Sequence, residues 1–396
     1  MKNLIKIAFA HSENGHNEMG IGAGLTQYLR KKGHWQLIAW PDSSYESLLF
    51  LKQQGCRGAI VNIQTSAKAK QLFKVGIPII AYSTLQDMGP LPYISSDSRE
   101  VARLAFDYLS GKRFRHFAFF GLTEARWSVE RLNYFAQFVS QAGYTFHHFK
   151  TQTVPVNHKL TSFPKLWIDA TLKRGQQDLI QWLRRLPKPV AILASCDLLA
   201  CHLSIFVEEA GLVIPEEVAI LGIDNNETLC NISSVPLSSI SLNLQKAGYE
   251  AAELLDRTVA GKDRMQGQRI KILPMEVKER ASTNVFAVED GDVLAALRFI
   301  DSNSSLPLQV DDVVRHVCIS KRLLQKKFKQ TLNRSIHEEI LHAHFRKARS
   351  MLLETTLSIE DIADQSGFAS PAKMRRAFLK IAGCLPHTYR QVNYPQ

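Results

Sequence analysis

Along the first 280 residues, short apolar runs alternate with longer stretches in which apolar positions return every three or four residues. Seven runs, LIKIAFA (4–10), HWQLIAW (34–40), GAIVNI (58–63), IPIIAYS (77–83), RHFAFFG (115–121), PVAILAS (189–195) and VAILGID (218–224), are rich in β-branched or aromatic residues. They read as buried parallel strands, because a strand covered on both faces has no polar face to alternate with. Helical periodicity fills 17–32, 98–110, 129–141, 197–210 and 245–260, so the wiring is that of an open, doubly wound α/β sheet. The strands are too many for one small sheet. YLSGKRFRHFAFFG (108–121) reads as the step from a first lobe, 1–110, into a second, 111–237, with later segments crossing back to complete both. Ligands of such sheets bind beyond the carboxyl ends of the strands, which places the expected site in the cleft between the lobes.

After ASTNVFAVEDGD (281–292), a polar stretch without clear period, the pattern is helical to the end, so domains are expected at 1–283 and 284–396. In 306–334 a helix ends near Ile319, and Ser320 suits the N-cap of the next, where its hydroxyl can take an orphan N–H. Leu324, Phe328 and Leu332 then face inward, Arg322, Gln325, Lys326 and Lys329 face outward, and Asn333 suits a left-handed C-cap. The segment TLSIEDIADQSGFASPAKMRRAFLK (356–380) repeats the plan. Ile359, Ile362 and Ala363 form an apolar face, Gly367 allows a turn, Ser370 caps and Pro371 takes the first helical position. Met374, Phe378 and Ile381 point inward, leaving Lys373, Arg375, Arg376 and Lys380 outside. The acids Glu360, Asp361 and Asp364 stay on the supporting helix, as expected if the second helix approaches phosphates and base edges. The two caps lie 50 residues apart, joined by the amphipathic SIHEEILHAHFRKARSMLLE (335–354). Roughly 18 helical residues span about 27 Å, of the order of the roughly 34 Å that separates successive major-groove segments.

Composition sharpens this picture in places. A chain of 396 residues suits two or three domains of about 150 residues. The formal charge of +12 is a weak sign of a polyanionic partner until it is located. From Val313 to His337 there are seven bases and no acid, and from Gln365 to the end five bases and no acid. Six cysteines (56, 196, 201, 230, 318, 384) form no CxxC pair, which argues against a structural zinc or a dithiol centre. MKNLIKIAFAHSENG has too short an apolar run for a secretory signal or a span, so a cytoplasmic protein without a membrane partner is expected. HEEILH (337–342) fails as a metalloprotease motif, since its histidines are five apart, about 140° round a helix instead of on one face. MGIGAGL (19–25) lacks the dinucleotide-binding GxGxxG spacing and reads as a small-residue helix packed beside the cleft. No cofactor, metal or catalytic constellation is expected.

In the sensing half, GIDNNETL (222–229) puts Asp224, Asn225 and Asn226 at a strand's carboxyl end, where carboxylates and amides can bind vicinal hydroxyls. ASCDLLA (194–200) puts Asp197 at another strand end, as ligand contact or as helix N-cap. GLTEARWSVERLNYF (121–135) offers Trp127, either a stacking face for a sugar ring or packing, and Arg131, a fork donor. HSENGHNE (11–18), with Glu13, and Ser83 are candidates for the opposite wall.

SKRLLQKKFKQTLNRS (320–335), RKARSMLLETTLSIEDIADQSGF (346–368) and FLKIAGCLPHTYR (378–390) resemble, in order and spacing, the AraC/XylS DNA-binding domain over about 290–392. Asn333 stands where that family usually has Gly, Lys373 and Met374 where Tyr-Phe is usual, and Leu385 where Thr or Ser commonly precedes Pro. The expected DNA-facing set is Ser320, Lys321, Arg322, Gln325, Lys326, Lys329, Ser370, Lys373, Arg375, Arg376 and Lys380. Of these, Arg322, Gln325, Arg375 and Arg376 suit base edges, and Lys326, Lys329 and Lys380 suit phosphates. ISSDSREVARLAFDYL (94–109), ASCDLLA, VAILGIDNNE and PMEVKERAST (274–283) resemble the LacI/GalR-type sensor, a relative of periplasmic sugar-binding proteins (type I). That resemblance implies Asp97, Arg131, Asp197 and Asp224 near the ligand, and the usual N-terminal helix-turn-helix is missing.

A two-lobed α/β sensor followed by an all-α domain with two helix-turn-helix motifs resembles the enterobacterial xylose-operon activators. RWSVERLNYF, ISSVPLSSI and QKAGYEAAELL also resemble them. The resemblance implies a homodimeric regulator that binds double-stranded operator DNA, works with RNA polymerase and answers to a sugar, with D-xylose, another monosaccharide or a nucleobase as the effector. A sugar-binding protein without DNA function would need no helix-turn-helix pair, and an enzyme would need an acid–base pair or nucleophile, which the sequence does not offer.

Overall fold

The computed structural model describes residues 4–10, 16–82, 84, 86–123, 125–149, 175–263 and 267–393. Contacts divide the chain into two compact units, Met1–Asp107 with His116–Thr283, and Tyr108–Arg115 with Asn284–Gln396.

The first unit holds two six-stranded sheets. β1 (Ile5–Ala10), β2 (Trp35–Trp40), β3 (Cys56–Asn62), β4 (Ile79–Tyr82), β5 (Tyr93–Ser96) and β11 (Arg269–Ile272) form one, in the order β11-β5-β4-β3-β1-β2 and parallel throughout. β6 (His116–Phe120), β7 (Thr145–His148), β8 (Val190–Ala194), β9 (Val218–Asp224), β10 (Ser238–Leu242) and β12 (Pro274–Lys278) form the other, in the order β12-β10-β9-β8-β6-β7. Only the edge strand β12 is antiparallel there. The late strands β11 and β12 complete one sheet each, as the expected crossing back requires. All seven apolar runs form strands, and six are buried in their middles, as in Ala59–Val61 and Val190–Ala194, whereas HWQLIAW forms the edge strand β2, where Gln36 and Ala39 are exposed and Leu37 and Ile38 only half-buried.

Helices flank both sheets: α1 (His16–Lys32), α2 (Tyr45–Gln53), α3 (Ser66–Phe73), α4 (Ser98–Gly111), α5 (Arg126–Gln141), α6 (Gln176–Arg185), α7 (Asp197–Glu209), α8 (Glu227–Ile232) and α9 (Leu244–Val259). The glycines of MGIGAGL serve close packing of α1 on α9. A Cβ at Gly24 would lie 2.0 Å from the Gln245 carbonyl oxygen, and one at Gly20 would lie 2.5 Å from Leu244. No helix among the described residues is long and apolar enough to cross a membrane.

The second unit is helical: α10 (Gly291–Ser302), α11 (Val310–Val317), α12 (Lys321–Leu332), α13 (Ile336–Glu354), α14 (Ile359–Gln365), α15 (Pro371–Ala382) and α16 (Pro386–Asn393). It has two small cores that share the long helix α13. Ile336, Ile340 and Ala343 pack with Val293, Leu297, Val313, Leu324 and Phe328. One turn further on, Phe345, Ala348 and Leu352 pack with Ile362, Phe368, Met374 and Phe378. Residues 108–115, placed in the sensing half by their sequence position, cluster here instead. Arg113 pairs with the buried Glu339 of α13, and the Lys112 ammonium lies 4.7 Å from the Phe286 ring centroid while its carbonyl accepts the Ala287 N–H at 2.9 Å.

Candidate functional site

Within the first unit, polar groups collect at the carboxyl ends of both sheets. β9 ends at Asp224, which with Asn225 adopts positive φ (111° and 51°), a region that Asp and Asn tolerate better than other residues with a Cβ. Asp197, at the start of α7 after β8, holds this loop from beneath. Its Oδ2 accepts the Asn226 N–H at 2.6 Å and its Oδ1 the Ser239 hydroxyl at 2.5 Å, while Ser239 Oγ accepts the Asn225 N–H at 3.0 Å. Gly222 leaves the room this requires, since a Cβ there would lie 2.2 Å from Asp197 Oδ1. Burial, reinforced by the charge of Asp224, pushes the Asp197 carboxyl well above the usual carboxylate range. The Asn225 side-chain oxygen accepts from Arg280 at 2.9 Å, and Asn226 caps α8.

Arg131 on α5 is buried, and its guanidinium lies 4.9 Å from the Trp127 ring centroid. One terminal nitrogen donates to the Ser195 carbonyl and the other to Ser96 Oγ of the first lobe at 2.9 Å. Burial lowers its pKa, and the nearby charge of Asp224 opposes that shift. Among the described residues, Arg131 Nε and the buried Ser195 hydroxyl have no hydrogen-bond partner. A buried donor left without a partner costs about 1–3 kcal/mol.

The two lobes also meet through Glu130. It accepts from Arg269 at 3.0 Å and from Ser98 at 3.1 Å, both on the first lobe, and from Arg126 at 2.9 Å, which reaches Asp87 at 2.9 Å. Burial alone would raise the pKa of Glu130, but the bonds from Arg269 and Arg126 hold it below the ordinary value. On the first lobe, Glu18 of HSENGHNE is buried at the ends of β3 and β4. Its Oε1 accepts from Asn62 at 3.0 Å and from the Tyr82 hydroxyl at 3.2 Å.

The expected cleft residues therefore fall into distinct situations. Asp224, Arg131, Trp127 and Asp197 come together at the second lobe's strand ends. Asp97 caps α4 by accepting the Glu100 N–H at 3.3 Å, and it pairs with Lys271 at 2.9 Å. Glu13 and Ser83 lie outside the described residues. Sequence reasoning did not single out Ser96, Glu130, Arg269 or Asn62. Glu18 belongs to a motif that was singled out, whereas the Arg269–Glu130 pair joins residues 139 positions apart and leaves no local trace.

In the second unit, α11 ends in the left-handed Cys318 (φ 60°) and α12 begins after Ser320, whose hydroxyl accepts the Leu323 N–H at 3.3 Å. α14 and α15 repeat the arrangement: Gly367 (φ 75°) sits where a Cβ would meet the Leu306 carbonyl at 2.5 Å, and Ser370 accepts the Lys373 N–H at 3.3 Å. Asn333 and Gly383 close the two helices in left-handed conformation. Arg322, Gln325, Lys326 and Lys329 on α12, and Lys373, Arg375, Arg376 and Lys380 on α15, are all exposed. Lys321 is tied to Asp311 of α11 at 2.7 Å, and Lys327 turns back to Asp290 and Asp292 at 3.0 and 2.5 Å. Each helix thus presents a cationic face without acids, on a supporting helix that carries them. No group of three metal-ligating side chains occurs among the described residues.

Comparison with known proteins finds two family matches in the chain. A periplasmic binding protein-like domain matches residues 106–283 and a helix-turn-helix domain matches 313–392. The chain is 33% identical over 343 residues to the xylose operon regulatory protein of Escherichia coli (strain K12), covering 85% of this chain and 84% of that protein. With the xylose operon regulatory protein of Haemophilus influenzae it shares 27% identity over 97% of its own length and 98% of the relative's. Among solved structures, that of the xylose-binding transcription activator xylR superposes with a TM-score of 0.58 at 29% identity, covering 98% of both chains. The transcriptional regulator CelR in complex with cellobiose, at 19% identity and TM-score 0.53 over 71% of this chain and 86% of its own, shares the fold of the sensing part.

Proposed function

Because the chain belongs to the family of xylose operon regulatory proteins, we propose that D-xylose is the effector of this sugar-responsive, DNA-binding transcription regulator, which activates a pentose-catabolic operon. The sugar sits between the lobes of the first unit. Asp224 and the unpartnered Arg131 Nε and Ser195 hydroxyl take its oxygens, Trp127 backs the guanidinium, and Asp197 positions the 224–226 loop. Arg322, Gln325, Arg375 and Arg376 read base edges, while Lys326, Lys329 and Lys380 hold phosphates. The regulator acts in the cytoplasm as a homodimer and recruits RNA polymerase. To serve as a switch, xylose need change DNA affinity by a coupling of only about 1–3 kcal/mol.

The observation that carries the effector site is Arg131, a buried guanidinium that bridges both lobes and keeps one N–H unpartnered. Calorimetric titration of the full chain with D-xylose tests it. Saturable binding is expected for the wild type, and Arg131→Ala should weaken it at least tenfold, since a hydrogen bond from a charged group is worth about 1.5–3 kcal/mol. Binding of a different monosaccharide or of a nucleobase, with no heat from xylose, would replace the effector. Undiminished xylose binding in the variant would remove Arg131 from the site.

A further inference from the structure

The two DNA-facing helices share one frame. Shifting the numbering by 50 superimposes Ser320 on Ser370 as N-caps and Asn333 on Gly383 as left-handed C-caps. The same shift places the fully buried Leu324 and Phe328 on the fully buried Met374 and Phe378. With caps and core in register, the exposed positions correspond as well. The second and fifth residues after the cap lie on one face, about one turn apart, and N-terminal residues of a recognition helix are those that reach base edges. On α12 these positions are Arg322 and Gln325, and on α15 they are Ala372 and Arg375, all four exposed.

The chemistry at each pair differs. A guanidinium forks to guanine O6 and N7, a Gln amide pairs with adenine N6 and N7, and an alanine methyl has only the thymine methyl to meet in the major groove. We propose that the protomer reads two unlike sub-sites: one in which Arg322 takes a guanine and Gln325 an adenine, and one in which Ala372 contacts a thymine methyl and Arg375 takes a guanine. This rests on the regulator reading above, and it makes Ala372, the smallest side chain of the face, a specificity-determining residue. Pro371 before it offers no side-chain hydrogen-bonding group either, so the first two residues of α15 after its cap are apolar and Lys373 is the first charged one.

The test is selection of bound sequences from a random-sequence duplex pool by the full chain, wild type and Ala372→Arg. The exposed position tolerates arginine, a good helix former. Two unlike motifs are expected from the wild type, and the variant should turn one thymine of one motif into guanine while the other motif stays unchanged. Deoxyuridine in place of that thymine should weaken wild-type binding about fourfold, the value of one buried methyl, and leave the variant's affinity for the same duplex unchanged. Two identical motifs, an unchanged motif in the variant, or indifference to the missing methyl would each overturn the assignment. No enrichment of any sequence by the wild type would instead overturn the regulator reading on which it rests.

Discussion

Both carboxylate oxygens of Asp197 are engaged by the loop they support, one by the Asn226 N–H and one by the Ser239 hydroxyl, and burial beside Asp224 lifts its pKa from 3.8 to about 8. Between those two values the native state binds a proton that the unfolded chain has released, so this residue's contribution to stability falls as pH rises through the window. Glu130 and Asp97, whose pKa values are lowered, contribute with the opposite sign, losing stability towards acid pH. A difference measurement separates them. Urea unfolding of the wild type and of Asp197→Asn from pH 5 to 8 should show the wild type losing ground as pH rises, by up to about 1.4 kcal/mol per pH unit. Parallel curves would mean that Asp197 is ionised throughout. At this scale the sequence was informative where a residue's own geometry decides the matter. Asn333 suits a left-handed C-cap and takes one, and a capping serine before a basic run has few other uses. It was silent where the partner decides. Whether Asp197 touches ligand or loop depends on Gly222 and Ser239, which approach it only once β9 and β10 are paired.

Among elements, those whose burial is periodic could be read from the chain, and those buried by their neighbours could not. The seven apolar runs became strands, but YISS and SSISL, the strands β5 and β10, carry serines where a strand is expected to carry Val or Ile. They lie inside their sheets because neighbours cover them, which no local pattern records. The helices of the second unit were legible because caps and apolar spacing agree, and α13 is held at its start by a reciprocal cap between Ser335 and Glu338. Its buried Glu339 was not anticipated, since its partner Arg113 comes from a segment 226 positions earlier. The sorting of α12 into base-reading and phosphate-holding side chains is testable at the level of the helix. Arg322→Ala should relax sequence preference at particular bases, at a cost of about 1–3 kcal/mol on the preferred duplex. Lys329→Ala should weaken all duplexes alike and make the dependence of log K on log salt shallower by about 1. Fluorescence anisotropy at several salt concentrations distinguishes the two, and identical behaviour of both variants would refute the sorting.

For the whole molecule, the total charge of +12 marked a polyanion binder only faintly. The placement of that charge on two capped helices of one unit, while polar groups gather at the strand ends of the other, says more. The division into two units leaves the chain passing between them more than once, because residues 108–115 belong with 284–396 while 116–283 belong with the sensor. Two sites carried by one chain can be linked only through a difference in free energy between its states, and that linkage is reciprocal. If xylose changes the affinity for a selected duplex by some factor, the duplex must change the affinity for xylose by the same factor. A factor of about 5–150 is expected for a physiological switch. Titrating xylose into the free chain and into its DNA complex, and DNA into the free chain and into its xylose complex, gives both factors independently. Equal factors above unity would establish the coupling. A factor of one in both directions would mean that sensing and reading are independent properties of the chain, and that xylose alters transcription, if it does so at all, through a step after DNA binding.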